Sequence, residues 1–129
     1  MLTTPTIREM RVAKPGLHAF RLSGLLTRDD MAAMGKRMND VFDTSDDKVD
    51  MLLIFDGYEG SEPMAGATSS AVKAQTQAIW KVGRYVTAMA PDGASAMVEA
   101  FGWVIPPQTH AFDTEADAWA FFDMAGPAG

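Results

Sequence analysis

A mostly parallel α/β sheet with one antiparallel edge is the fold the sequence predicts, and three observations carry it. Strand-length and helix-length apolar patterns alternate along the chain after an opening pair of short strands. Residues Met51 to Phe55 (MLLIF) form an unbroken apolar run of strand length, as a strand covered on both faces requires. A Lys14-Pro15-Gly16 turn joins the first two strand patterns into an antiparallel hairpin. The predicted order is β-β-α-β-α-β-α-β-α in one domain spanning residues 1–129. Right-handed crossovers favour five strands laid down one after another, a β-α superhelix.

Each element follows from local pattern. Thr6 to Val12 alternates and suits an edge strand, and His18 to Leu22 alternates with His18, Phe20 and Leu22 on one side, closed by Gly24. Thr27 and Asp30 have capping-box spacing, and Met31, Met34, Met38, Val41 and Phe42 follow as a helical stripe. Asp43 to Asp47 reads as a polar loop. The central strand, Val49 to Phe55, is expected to end at Asp56-Gly57. The spacing of Met64, Ala67, Ala71, Ala74, Ala78 and Val82 predicts a helix over Pro63 to Val82, ended by Gly83, and Tyr85 to Ala90 reads as the next strand. Pro91-Asp92-Gly93 opens a short helix with the stripe Ala94, Met97, Val98 and Phe101, and Gly102 stands where a left-handed C-terminal cap falls. Thr109 to Phe112 is a last strand. Thr114 with Asp117 caps a final helix carrying Ala118, Trp119, Phe122 and Met124.

Composition narrows the function classes. At 129 residues and 47% hydrophobic, the chain can bury a core without staples. With no cysteine, disulfides, thiol nucleophiles and cysteine-ligated metals are excluded. A net charge of −6 opposes binding to nucleic acid or an anionic membrane. The opening MLTTPTIREMRVAKPG lacks the pattern of a secretory signal, and no apolar run is long enough to span a bilayer, so a cytoplasmic location is expected.

Three stretches resemble the SpoIIAA-like superfamily, which includes STAS domains and is akin in structure to CRAL-TRIO lipid-binding domains. They are Gly16 to Thr27 (GLHAFRLSGLLT), Leu52 to Gly60 (LLIFDGYEG), and Ala100-Phe101-Gly102-Trp103 with Pro106, Phe112, Ala116, Ala118-Trp119 and Phe122. Together they cover nearly the whole chain. The resemblance implies a fold more than an activity. In the anti-sigma-factor antagonists of this fold, a serine in an Asp-Ser-Ser-Gly motif is phosphorylated at the start of the helix after the central strand. The matching stretch here, Asp56 to Pro63 (DGYEGSEP), lacks that motif, and Ser61 is its candidate for phosphorylation. The chain is similar to small single-domain members with no agreed biochemical role.

No residue set forms a catalytic constellation. His18 and His110 have no partner at metal-ligand spacing and read as structural. Asp56, with Glu59 and Glu62, suits either acid/base chemistry or an Asp-Gly turn beside two solvated acids. Gly57, Gly60 and Gly66 are not followed by the Lys-Ser/Thr of a phosphate loop, and no nucleophile elbow or dinucleotide fingerprint is present. No cofactor or metal is therefore expected.

Two features stand out instead. In AFGWVIPPQTHAF (Ala100 to Phe112), Trp103, Val104 and Ile105 run into Pro106-Pro107, and both core packing and an apolar surface account for them. The Pro63 to Val82 helix carries only Lys73 and Lys81 as charges beside Trp80. Tyr58, Trp80, Phe101, Trp103 and Ile105 are the candidate ligand-binding or interaction surface, and a homodimer contact would explain both features. The sequence thus reads as a non-enzymatic regulatory or protein-interaction module, expected to form a homodimer with or without a further protein partner. A carrier for a small apolar or lipid-like ligand is the alternative, and an enzyme using Asp56 stands third.

Overall fold

The computed structural model describes residues 1–90 and 109–127. Strand β1 (Ile7–Met10) pairs antiparallel with β2 (Leu17–Leu26), with Ile7 opposite Leu22 and Met10 opposite Ala19. Parallel pairing then runs through β3 (Val49–Ser61), β4 (Val82–Ala88) and β5 (Thr109–Phe112). The sheet order β1-β2-β3-β4-β5 is the sequential winding expected from the pattern.

Helix α1 (Arg28–Thr44) starts where the sequence places it. Thr27 Oγ1 accepts from the Asp30 amide at 3.1 Å, and Asp30 Oδ2 accepts from the Thr27 amide at 3.2 Å, so two orphan amides are satisfied reciprocally. Its stripe of Met31, Met34, Met38, Val41 and Phe42 is buried, and the helix takes in Asp43 and Thr44 before the polar loop begins. Together with α2 (Ser69–Lys81), α1 covers one face of the sheet over Phe20, Leu22, Met51, Leu53, Phe55 and Tyr85. Helix α3 (Glu115–Phe121) covers the other face, where Trp119 and Phe122 pack on Leu17, Ala19, Leu52, Ile54 and Val86. Thr114 Oγ1 accepts from the Asp117 amide at 3.1 Å, as the spacing predicts.

Several boundaries differ from the sequence reading. Gly24 does not close β2, and Asp56-Gly57 does not end β3. Leu22 opposes Phe55, Gly24 opposes Tyr58 and Leu26 opposes Ser61, so β3 carries two more residues than β2 over this stretch. Two bulges absorb them, and Gly57 (φ 76°) and Gly60 (φ 113°) supply the backbone conformations that bulged positions need.

The helix expected from Pro63 begins only at Ser69. Met64, at φ 64° in the left-handed region, breaks the path, a 3-10 turn spans Ala65–Ala67, and Thr68 caps α2 by accepting from the Ala71 amide at 3.3 Å. At its other end α2 passes into β4 without a loop, so Val82 and Gly83 are strand residues and β4 stops at Ala88. The helix expected after Pro91, with its Gly102 cap, lies outside the described residues.

Candidate functional site

Small residues set the position of α2. Ala71, Ala74 and Ala78 line its buried face, and a Cβ built on Gly35 of α1 would stand 2.6 Å from the Ala71 backbone nitrogen. The two backbones therefore touch, and polar side chains bind the seam. Ser70 Oγ donates to the Ala32 carbonyl at 2.8 Å, Asn39 Nδ2 donates to the Ser70 carbonyl at 3.1 Å, and Gln77 Nε2 donates to Asn39 Oδ1 at 3.0 Å. Part of the helix's low charge is explained here, since Ser70 and Gln77 serve packing against α1. Sequence reasoning missed that role because a charge count does not show which face a polar residue occupies.

The outward face is different. Val72, Thr76, Ile79 and Trp80 stand one or two turns apart on one side of α2, the spacing of a single helix face. Val72 is 47% exposed, Ile79 51% and Trp80 73%, with Lys73 as the charge among them. A helix face in contact with water ordinarily carries polar residues at such positions. Trp80, the largest of them, offers wide apolar area and one donor.

Tyr58 lies elsewhere. It stands near the far end of β3, half-buried, edge-to-face with Phe55 at 5.1 Å, and its hydroxyl is 3.0 Å from Ser61 Oγ. Trp80 lies beside the start of β4, where Val82 opposes Val49, the first residue of β3. On the order of 25 Å of strand separates the two ends, so Tyr58 and Trp80 do not line one site. Ser61 closes β3 and does not cap α2, a place taken by Thr68. Phe101, Trp103 and Ile105 lie outside the described residues.

Asp56, within β3, and Glu62, just beyond it, are both engaged. Asp56 Oδ2 meets Arg21 Nη1 at 3.0 Å, and the Arg21 fork also holds Glu115 of α3 at 3.1 and 3.0 Å. The Arg21 guanidinium, helped by the Trp119 indole N–H, keeps Glu115 below the usual carboxylate range despite its partial burial. Glu62 Oε1 accepts from the Arg28 amide at 2.9 Å. Among the described residues, no three His, Asp or Glu side chains are placed to hold a metal ion. His18 is half-buried beside Phe20, and burial lowers its pKa, with a smaller opposing pull from Glu9. His110 is exposed and stacks at 4.6 Å on Phe121.

Two open clefts lie at the outer edge of the sheet, beside β1, and neither Tyr58 nor Trp80 lines them. Among the described residues, no helix is long and apolar enough to cross a membrane.

The sequence profile of a family described as SpoIIAA-like matches residues 17–123. An uncharacterised protein of the DUF3478 family from Shewanella loihica PV-4, whose structure is described as having a SpoIIAA-like fold, superposes with a TM-score of 0.64 at 15% identity. The match covers 94% of this chain and 98% of that one, and at such identity it shows the fold alone. No curated protein matches the chain.

Proposed function

The chain belongs to the SpoIIAA-like family, and from that premise we propose that it is a non-enzymatic, cytoplasmic regulatory module acting through protein contact, with the outer face of α2 joining two copies. One observation carries the reading: Val72, Ile79 and Trp80 are apolar, share a face and are about half or more exposed. Burying such side chains is favourable at roughly 25 cal/mol per Å².

Size sets the expected strength. The 13 residues of α2 span about 20 Å, a narrower contact than the ~800 Å² per partner of a standard interface. The dimer is therefore expected to be weak, dissociating at roughly micromolar concentration. Phe101, Trp103 and Ile105, which lie outside the described residues, are assigned to the same interaction surface on their sequence alone. Phosphorylation of Ser61 would separate its hydroxyl from Tyr58 and act at the opposite end of β3.

Native mass spectrometry over a concentration series tests the proposal. The parent protein is expected to pass from monomer to dimer, and Trp80→Glu to remain monomeric throughout. Identical masses for both proteins at every concentration would overturn it. A constant extra mass, lost on denaturation, would support the carrier of a small apolar ligand instead.

A further inference from the structure

The clefts beside β1 gather basic side chains around a single carboxylate, Glu9. The larger, about 370 Å³, is lined by Arg8, Glu9, Met10, Arg11, Arg21 and Pro127, among others. The smaller, about 270 Å³, shares Glu9, Met10 and Arg11 and adds Lys14, His18 and Arg37. Five of the eleven basic residues of an acidic chain thus border one region.

Most of these charges are already answered. Glu9 is held by Arg37 at 2.8 and 3.0 Å and by the Leu2 amide at 2.8 Å. Lys14 Nζ donates to the Phe122 carbonyl at 3.2 Å. Arg21 is held by Asp56 and Glu115. Arg8 and Arg11 are exposed, and neither side chain has a hydrogen bond or ion pair among the described residues. Arg8 stands directly opposite Arg21 across the β1–β2 ladder, where Asp56 and Glu115 already offset the Arg21 charge, so Arg8 remains open to an anion of its own.

We infer that the cleft beside β1 binds the carboxylate of a small organic acid between Arg8 and Arg11, with the acid's apolar body against Met10 and Pro127. The chemistry follows from charge. Arg21 with Asp56 and Glu115 carries one surplus negative charge and Glu9 with Arg37 none, so the guanidinium groups of Arg8 and Arg11 are the ones left to bind an anion. A monoanion set between them meets less repulsion from Glu9, which lines the same cleft, than a phosphate dianion would. The planar guanidinium fork fits a carboxylate with two parallel bonds, and the volume lies within the range of small-molecule sites. Neither arginine lies on α2, so the inference stands or falls apart from the dimer.

Titration of ¹⁵N-labelled protein with phenylacetate at low ionic strength tests it. Saturable shifts at Arg8 and Arg11 are expected at millimolar concentrations, weakened about tenfold in the R8Q/R11Q double variant and unchanged in R28Q. The double variant should keep the parent's melting temperature, because neither side chain has a partner to lose among the described residues. Absence of saturable shifts at these residues, equal binding by R8Q/R11Q and parent, or tighter binding of phenylphosphate than of phenylacetate would each overturn the inference.

Discussion

Glu9 is buried where a lone carboxylate would be costly, and Arg37 decides its state. Burial alone pushes the carboxyl upward, but the Arg37 fork, the Leu2 amide and the nearby positive charge outweigh it and hold the group below its ordinary value. Arg37→Ala would leave the charge buried with one amide for company. Losing one partner of a fully buried pair costs about 3–5 kcal/mol, and because Arg37 is itself about a third exposed the expected loss is smaller, about 2 kcal/mol. Urea denaturation of the variant checks it, and no change in midpoint would show the pair to be inert. No sequence pattern marks this contact, since the partners lie 28 residues apart on β1 and α1. Thr27 with Asp30, and Thr114 with Asp117, were legible because a cap is a contact between residues three apart.

At the scale of elements, the seam between α1 and α2 depends on a missing side chain. A methyl group at Gly35 would meet backbone atoms of Ser70 and Ala71 at 2.6–2.7 Å, so the helices must separate to admit it. Alanine favours a helix by about 1 kcal/mol over glycine, but overpacking against backbone costs about 1–3 kcal/mol. Gly35→Ala is therefore expected to destabilise the fold by about 1 kcal/mol, read as a lower denaturant midpoint, and a stabilised variant would refute the close approach. The same region makes α2 shorter than its apolar spacing predicts. Apolar spacing from Met64 onward mimics one helix, yet the left-handed Met64 divides it, and spacing carries no record of φ. β3 outruns its sequence pattern for the converse reason: glycines that ordinarily end strands here permit bulges, and pairing continues to Ser61.

For the whole molecule, the ionisable groups predict a two-step loss of stability in acid. His18 has a folded pKa below the ordinary value near 6.5, so the fold favours its neutral form. Its contribution is complete above that value and fades as pH falls through the folded pKa. Glu9, Asp30 and Glu115 are all held below the usual carboxylate range, and their contribution fades below about pH 4.5 in the same sense. Denaturant midpoints measured across pH should show both steps, and His18→Gln should remove the upper one while leaving the lower. A flat profile between pH 7 and 5 in the parent would contradict the burial of His18. The fold class and sheet order were legible because they rest on strand and helix alternation summed over the chain. The candidate site was legible only in part: Trp80 stood out by type, but its separation from Tyr58 depends on which end of a strand each residue occupies.

The order β1-β2-β3-β4-β5 also bears on how the chain reaches this state. Each strand joins the one made immediately before it, so no strand waits for a distant partner, and from β1 to β4 each closure spans only the intervening helix or turn. Pairings made in chain order keep each separation near the minimum that a parallel crossover allows. They also suit emergence from the ribosome, where each new β-α unit finds its template already laid down.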